Sequence, residues 1–123
     1  MRLENKTAII TGGASGFGAG IAETLARAGA KIVIADINLE AARAVADRLN
    51  GTAVKVDVSN AGEMAALVAS VMKDHGSIDV FVNNAGITHL PQPMEDVEED
   101  EFDRVLMVNT KSVYLSAKYV VPI

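Results

Sequence analysis

Residues Thr11 to Gly18 read Thr-Gly-Gly-Ala-Ser-Gly-Phe-Gly, the stretch of this chain best suited to holding an anion. Glycines let a backbone turn sharply and approach a ligand with no Cβ in the way. The apolar run Thr7-Ala8-Ile9-Ile10 precedes the loop, and Ile21, Leu25 and Ala28 follow it at helical spacing. Strand, glycine turn and helix together aim free N–H groups and the positive end of a helix dipole at a phosphate. Glycines alone read as a flexible turn; the flanking strand and helix favour a dinucleotide site. The usual fingerprint G-x-G-x-x-G does not fit, because Ile21 stands where its third glycine or alanine would be. The pattern present is Thr11-Gly12-x-x-x-Gly16-x-Gly18, with Ser15 and Phe17 beside its last two glycines.

Other positions carry groups that suit such a site. Asp36 ends the apolar run Lys31 to Asp36. A carboxylate there can accept hydrogen bonds from an adenosine ribose and repel a 2′-phosphate. A 2′-phosphate would want a base nearby, and Ser15, Ile37 and Asn38 are all neutral, so the expected cofactor is NAD in preference to NADP. A solvated acid at a strand end is the alternative. Asp57-Val58 closes the next strand, where an Asp also reads as a turn residue ahead of a helix cap. Asn83-Asn84-Ala85-Gly86 follows a fourth strand and, as bare sequence, is a tight turn. Asn109 lies inside a helical stretch, Leu106 to Lys111. Asparagine is poor there because its side chain competes for the backbone, so a kink, an interhelical hydrogen bond or a functional role must account for it. His75 and His89 are not spaced as a metal pair, and Glu95 to Asp103 reads as a solvated acidic loop and helix start, so no metal site is expected.

The elements that must position these groups alternate along the chain. Strands are expected over Thr7–Thr11, Lys31–Asp36, Thr52–Val58 and Ile78–Val82, and a helix over Gly16–Ala28. Asn38 caps a second helix that buries Ala42, Val45, Ala46 and Leu49 and stops at Asn50-Gly51. Asn60 and Glu63 resemble a capping box for a third, with Met64, Leu67, Val68 and Val71 on one stripe and Gly76 at its end. A polar, acidic loop with two prolines covers Leu90 to Asp100, and the pattern is helical again from Phe102 to about Val121. Near-continuous apolar strands and the β-α-β-α-β-α-β series imply an α/β fold, a doubly wound parallel sheet covered by helices on both faces.

The glycine loop and the Asn-Asn-Ala-Gly turn together resemble the short-chain dehydrogenase/reductase family, in the branch whose glycines are spaced this way. The resemblance implies a Rossmann-type, three-layer α/β/α fold and an NAD(P)-dependent oxidoreductase. Hydride would pass between a nicotinamide and an alcohol or ketone, with 3-oxoacyl-carrier-protein reductases and sugar or polyol dehydrogenases the most similar members. It implies cofactor contacts from Gly12, Ser15, Gly16, Phe17, Gly18, Asp36 and Ile37. Asp57 would meet the adenine amino group, with Val58 near the ring, and Asn84, Ala85 and Gly86 would line the cofactor. Asn109 becomes a catalytic residue that bends its helix and holds a proton-relay water. It also implies a homodimer or homotetramer, joined partly through that helix.

The family's Ser, Tyr and Lys fall beyond Ile123. Tyr114-x-x-x-Lys118 has the catalytic spacing, but it begins five residues after Asn109 in the same helix and is expected to be a decoy. The apolar ending Val120 to Ile123 and an unpartnered fourth strand suggest the N-terminal, cofactor-binding part of a longer enzyme, inactive by itself. A non-catalytic nucleotide-binding module is the rival reading.

Composition narrows the classes. The chain has 123 residues, 50% of them hydrophobic, enough for one domain with a core. A net charge of −5 leaves no electrostatic footprint for nucleic acid. No cysteine is present, which removes disulfides and a thiol nucleophile and suits a cytoplasmic setting. The charged opening Met1 to Lys6 does not read as a signal peptide, and no apolar run is long enough to span a membrane.

Overall fold

The computed structural model describes residues 2–123. The apolar, β-branched runs form strands β1 (Thr7–Thr11), β2 (Lys31–Asp36), β3 (Thr52–Lys55) and β4 (Val80–Val82). They make one sheet in the order β3-β2-β1-β4 with every pair parallel. β1 is central: it pairs with β2 from Thr7↔Lys31 to Thr11↔Ala35, and with β4 from Ala8↔Val80 to Ile10↔Val82. After β3 the chain returns across the sheet to lay β4 beside β1. That reversal opens a crevice at the carboxyl ends of the strands.

Helices α1 (Gly16–Arg27), α2 (Leu39–Arg48) and α3 (Ala61–His75) form the crossovers. Alternation along the buried strands splits the core between two faces. Ala8, Ile10, Ile32 and Ile34 meet Ala22 of α1 and Ala42, Val45 and Ala46 of α2. Ile9, Val33, Ala35, Val56 and Val58 meet Met64, Leu67 and Val71 of α3 and Leu115 of the final helix. The result is the expected three-layer α/β/α arrangement. Among the described residues no helix is long and apolar enough to cross a membrane.

Several boundaries differ from expectation, each for a visible reason. β3 stops at Lys55, not Val58, because its ladder with β2 ends at Asp36↔Lys55. Beyond it the Asp57 carboxylate accepts from the backbone N–H and the hydroxyl of Ser59, which turns the chain towards α3. Asn60 does cap α3, accepting from Glu63 N at 2.9 Å. The reciprocal half of the capping box is displaced: the Glu63 carboxylate accepts from Asp57 N instead of Asn60 N. The last helical stretch is interrupted: α4 (Glu99–Leu106) runs through a π-helical turn over Met107–Lys111 into α5 (Ser112–Val120). A short 3₁₀ turn, Met94–Asp96, lies within the acidic loop before it.

β4 starts at Val80, not Ile78, because Asp79 has another task. Its carboxylate accepts from Thr7 N at 2.9 Å, from the Ser77 hydroxyl at 3.0 Å and from Lys6 Nζ at 3.4 Å. The Thr7 N–H is the main cause that holds the Asp79 carboxyl below its ordinary value of 3.8, with the Ser77 hydroxyl next. A depressed carboxyl pKa adds stability above the unfolded-state value, which is lost as pH falls through the folded value. Asp79→Asn should therefore lower the melting temperature near neutral pH, and the melts of variant and parent should converge as pH falls below 3.8. A pH series of thermal melts checks this; a gap that does not change with pH would contradict it.

Candidate functional site

Four loops leave the carboxyl ends of the parallel strands on one edge of the sheet and enclose a cleft of about 230 Å³. Gly12 and Ser15 line it after β1, Asp36 and Ile37 after β2, Asp57 and Val58 after β3, and Ala85 and Gly86 after β4. Ala35, Val56, Ile87, Arg104 and Val108 complete the wall. Sequence reading did not single out these five. All but Arg104 adjoin candidate residues it did name; Val108, beside Asn109, comes from the π-helical turn and Arg104 from α4.

The glycine loop is held open for an anion and closed against its own scaffold. Ser15 is the N-cap of α1, yet its side chain makes no capping hydrogen bond, so it satisfies none of the first-turn N–H groups. Gly12 takes a φ of +64°, and a Cβ on it would lie 2.9 Å from the Ala85 Cα. A Cβ on Gly18 would collide with the Gly12 carbonyl and lie 2.5 Å from Asn84 Nδ2. These two absences of side chain let the β1 loop, α1 and the Asn84-Ala85 turn pack against one another. The cradle that results fits a diphosphate on a helix N-terminus. Gly16 is the first residue of α1, and Phe17 beside it is 88% exposed, outside the cleft.

Asp36 does more than present a carboxylate. Its Oδ2 accepts from Ala14 N at 3.2 Å and its Oδ1 from Asn38 N at 3.0 Å. The first bond ties the glycine loop to the end of β2. A carboxylate offers about four acceptor sites, so about two remain for ligand hydroxyls.

Thr11 was not among the candidate site residues, and it organises the cleft floor. Its hydroxyl donates to Val82 O at 3.2 Å and accepts from Asn84 N at 3.1 Å and Ala85 N at 3.2 Å. Asn84 then donates Nδ2 to Gly12 O at 3.1 Å, which turns its side chain to the glycine loop, behind the cleft wall. Asn83 accepts from the Ser116 hydroxyl at 2.8 Å, linking the same turn to α5. A Thr at the end of a fully buried strand was the sequence signal available.

Asn109 is held by a pair of hydrogen bonds to one residue. Its Oδ1 accepts from Ile87 N and its Nδ2 donates to Ile87 O, each at 2.7 Å. The helix is irregular at Asn109, which lies in the π-helical turn, and its amide bonds the β4 loop in place of another helix. π-turns of this kind are frequent at functional positions. A Cβ on Gly86 would stand 3.4 Å from that Oδ1, so the turn leaves room for the amide. Tyr114 and Lys118 lie away from the cleft lining, and Lys118 Nζ sits 5.7 Å from the Tyr119 ring centre.

Thr11→Val should test the floor. It keeps the shape and strands the Ala85 N–H, while Asn84 N keeps its bond to Val82 O at 3.1 Å, and the loss should cost about 1–3 kcal/mol. Thr11→Ser, which keeps the hydroxyl, should cost less. Chemical denaturation of the full-length protein measures both, and equal losses would deny the hydroxyl its role.

The sequence model of the short chain dehydrogenase family matches residues 6–123. 4-Formylbenzenesulfonate dehydrogenase TsaC1/TsaC2 of Comamonas testosteroni is 46% identical over 99% of this chain and 50% of its own length. Sorbitol dehydrogenase of Cereibacter sphaeroides is 42% identical over 89% of this chain and 43% of its own length. The crystal structure of 3-ketoacyl-(acyl-carrier-protein) reductase from Brucella melitensis, complexed with NADH, matches with a TM-score of 0.95 and 43% identity. That match covers 98% of this chain and 50% of the reductase. The chain thus spans about half the length of the curated relatives it matches. A family match over nearly the whole chain, joined to the same parallel sheet and glycine loop, means that the chain belongs to the short chain dehydrogenase family.

Proposed function

We propose that this chain is the cofactor-binding part of an NAD-dependent oxidoreductase that interconverts an alcohol and a ketone. The observation that carries the proposal is the cleft along the strand ends that the glycine loop and Asp36 line together, joined by the bond from Ala14 N to Asp36. The N-terminus of α1 receives a diphosphate, and the free acceptor sites of Asp36 receive the two ribose hydroxyls. Asp57 faces the adenine amino group, with Val58 beside the ring. Two relatives named for polyols, sorbitol dehydrogenase and galactitol 2-dehydrogenase, support an alcohol/ketone substrate.

A bound nicotinamide supplies a two-electron donor or acceptor for a carbinol or carbonyl carbon. The chain's own residues prepare the place for it. Asn109 fixes the backbone of Ile87, and Thr11 fixes Asn84 and Ala85, so the β4 loop presents one surface to the ligand. Asn109 is the residue of this chain that we place in the catalytic machinery, as the holder of the relay water. Phe102, Leu106, Val113 and Tyr114 leave apolar surface exposed on α4 and α5, which supports a homodimeric or homotetrameric assembly through this helix. The cysteine-free composition supports a cytoplasmic location.

The test is a fluorescence titration of the full-length protein with NADH and NADPH. The parent should prefer NADH. Loss of a charge-assisted hydrogen bond is worth about 1.5–3 kcal/mol, so Asp36→Asn should weaken NADH roughly 10- to 100-fold and NADPH much less. An unchanged preference would remove Asp36 from cofactor choice, and no saturable binding of either nucleotide by the parent would end the proposal. Tyr114→Phe should keep most of the alcohol-dependent reduction of NAD by the same protein. A loss of several orders of magnitude would make Tyr114 and Lys118 the catalytic pair.

A further inference from the structure

Arg104 is the one cation among the residues that line the cleft. The ion pairs among the described residues join Lys6 to Asp79 and Arg48 to Glu23, so the Arg104 guanidinium is unpaired among them. Asp100 stands one helical turn before it, at a spacing that often gives an ion pair, yet none forms. An exposed, uncommitted Arg on the rim of an otherwise acidic and apolar cleft is free to meet a ligand.

Its place in the fold says which part of the ligand. A second cleft adjoins the first, and Arg104 lines both. Ile37, Asp57 and Val108 are also shared, and Ser59, Asp100, Asp103 and Met107 belong to the second cleft alone. No residue of the glycine loop and none of the β4 turn reaches that second cleft. Arg104 therefore stands at the end of the site beside the loops after β2 and β3, on the outer side of the sheet. The diphosphate cradle after β1 lies inward of it. On the reading proposed above, the adenine occupies the outer end.

We propose that Arg104 is a binding residue for the adenine, its guanidinium plane laid against the ring from the α4 side while Val108, one turn further on, supplies apolar contact. Arg is suited to this by its flat, weakly hydrated cation, which stacks on aromatic faces as Lys does not. It also sets one positive charge against the carboxylates of Asp36 and Asp57 where a ligand of negative charge must enter. The inference rests on the dinucleotide reading and adds to it a residue that specifies the base.

Calorimetric titration of the full-length protein with NADH, NADPH and ADP-ribose tests the proposal without an activity assay. Arg104 is exposed on α4, and Arg104→Met keeps its apolar stem, so the variant should fold. A lost cation–π contact should weaken all three ligands alike, by roughly 5- to 20-fold, and Arg104→Lys should recover only part of that. Full recovery by Lys would overturn the proposal in favour of charge alone. A loss confined to NADPH would overturn it in favour of a 2′-phosphate contact, and unchanged affinities would remove Arg104 from the site. If the parent bound none of the three, the dinucleotide reading would fail; if the parent bound them and Arg104→Met bound equally, only the role of Arg104 would fail.

Discussion

Three hydrogen bonds at one buried hydroxyl join the first quarter of the chain to the last third. Thr11 closes the central strand, and its side chain fixes Val82, Asn84 and Ala85 at the end of the neighbouring strand. The β4 turn cannot move away from the glycine loop without leaving the Ala85 N–H unsatisfied beneath the cleft. Asn84 repeats the link one step further out by donating to Gly12 O. The glycine loop, the turn and α1 are thus one packed unit, and Gly18 is needed because that unit has no space for a Cβ. A binding surface built this way is organised before any ligand arrives, which lowers the ordering cost of association.

Electrostatics in the cleft is a compromise between attraction and selection. The start of α1 favours anions, whereas Asp36 opposes them. The carboxylate is tolerable because its two backbone donors, Ala14 N and Asn38 N, stabilise its charge in place. The same bonds make Asp36 a structural part of the loop. A change at this residue therefore acts on loop geometry, which the shape-preserving amide disturbs less than alanine would.

The helical region after β4 solves a different problem. An asparagine within a helix would ordinarily weaken it, but here the helix widens to a π-turn over Met107–Lys111 and the amide bonds Ile87 instead. The cost in helix geometry is returned as a rigid contact between α4–α5 and the cleft loop. Leu115, on the other side of the same helical stretch, anchors it to the core beneath α3. The stretch is therefore held at Asn109 and Leu115 while Phe102, Leu106 and Tyr114 are exposed.

Much of this architecture was legible in the sequence. The apolar runs gave the four strands, Asn38 and Asn60 marked two helix starts, and the loop Thr11 to Gly18 with Asn83 to Gly86 pointed to the family. These signals are local: a strand, a cap or a glycine turn is written in a few adjacent residues. The sequence also placed Asp36 at the end of its strand, whereas Asp57 and Ala85 fall in the loops just beyond theirs; parallel strands bring all three to one edge. What only the tertiary structure decided were the partners of polar groups far apart in the chain. Thr11 meets residues 71 to 74 positions away, and Asn109 meets one 22 positions away. The register of β1 against β4, and the place at which the π-helical turn meets the β4 loop, select those partners. Neither is encoded by spacing along the chain, which is why Arg104, an ordinary surface residue by sequence, emerges on the wall of the cleft.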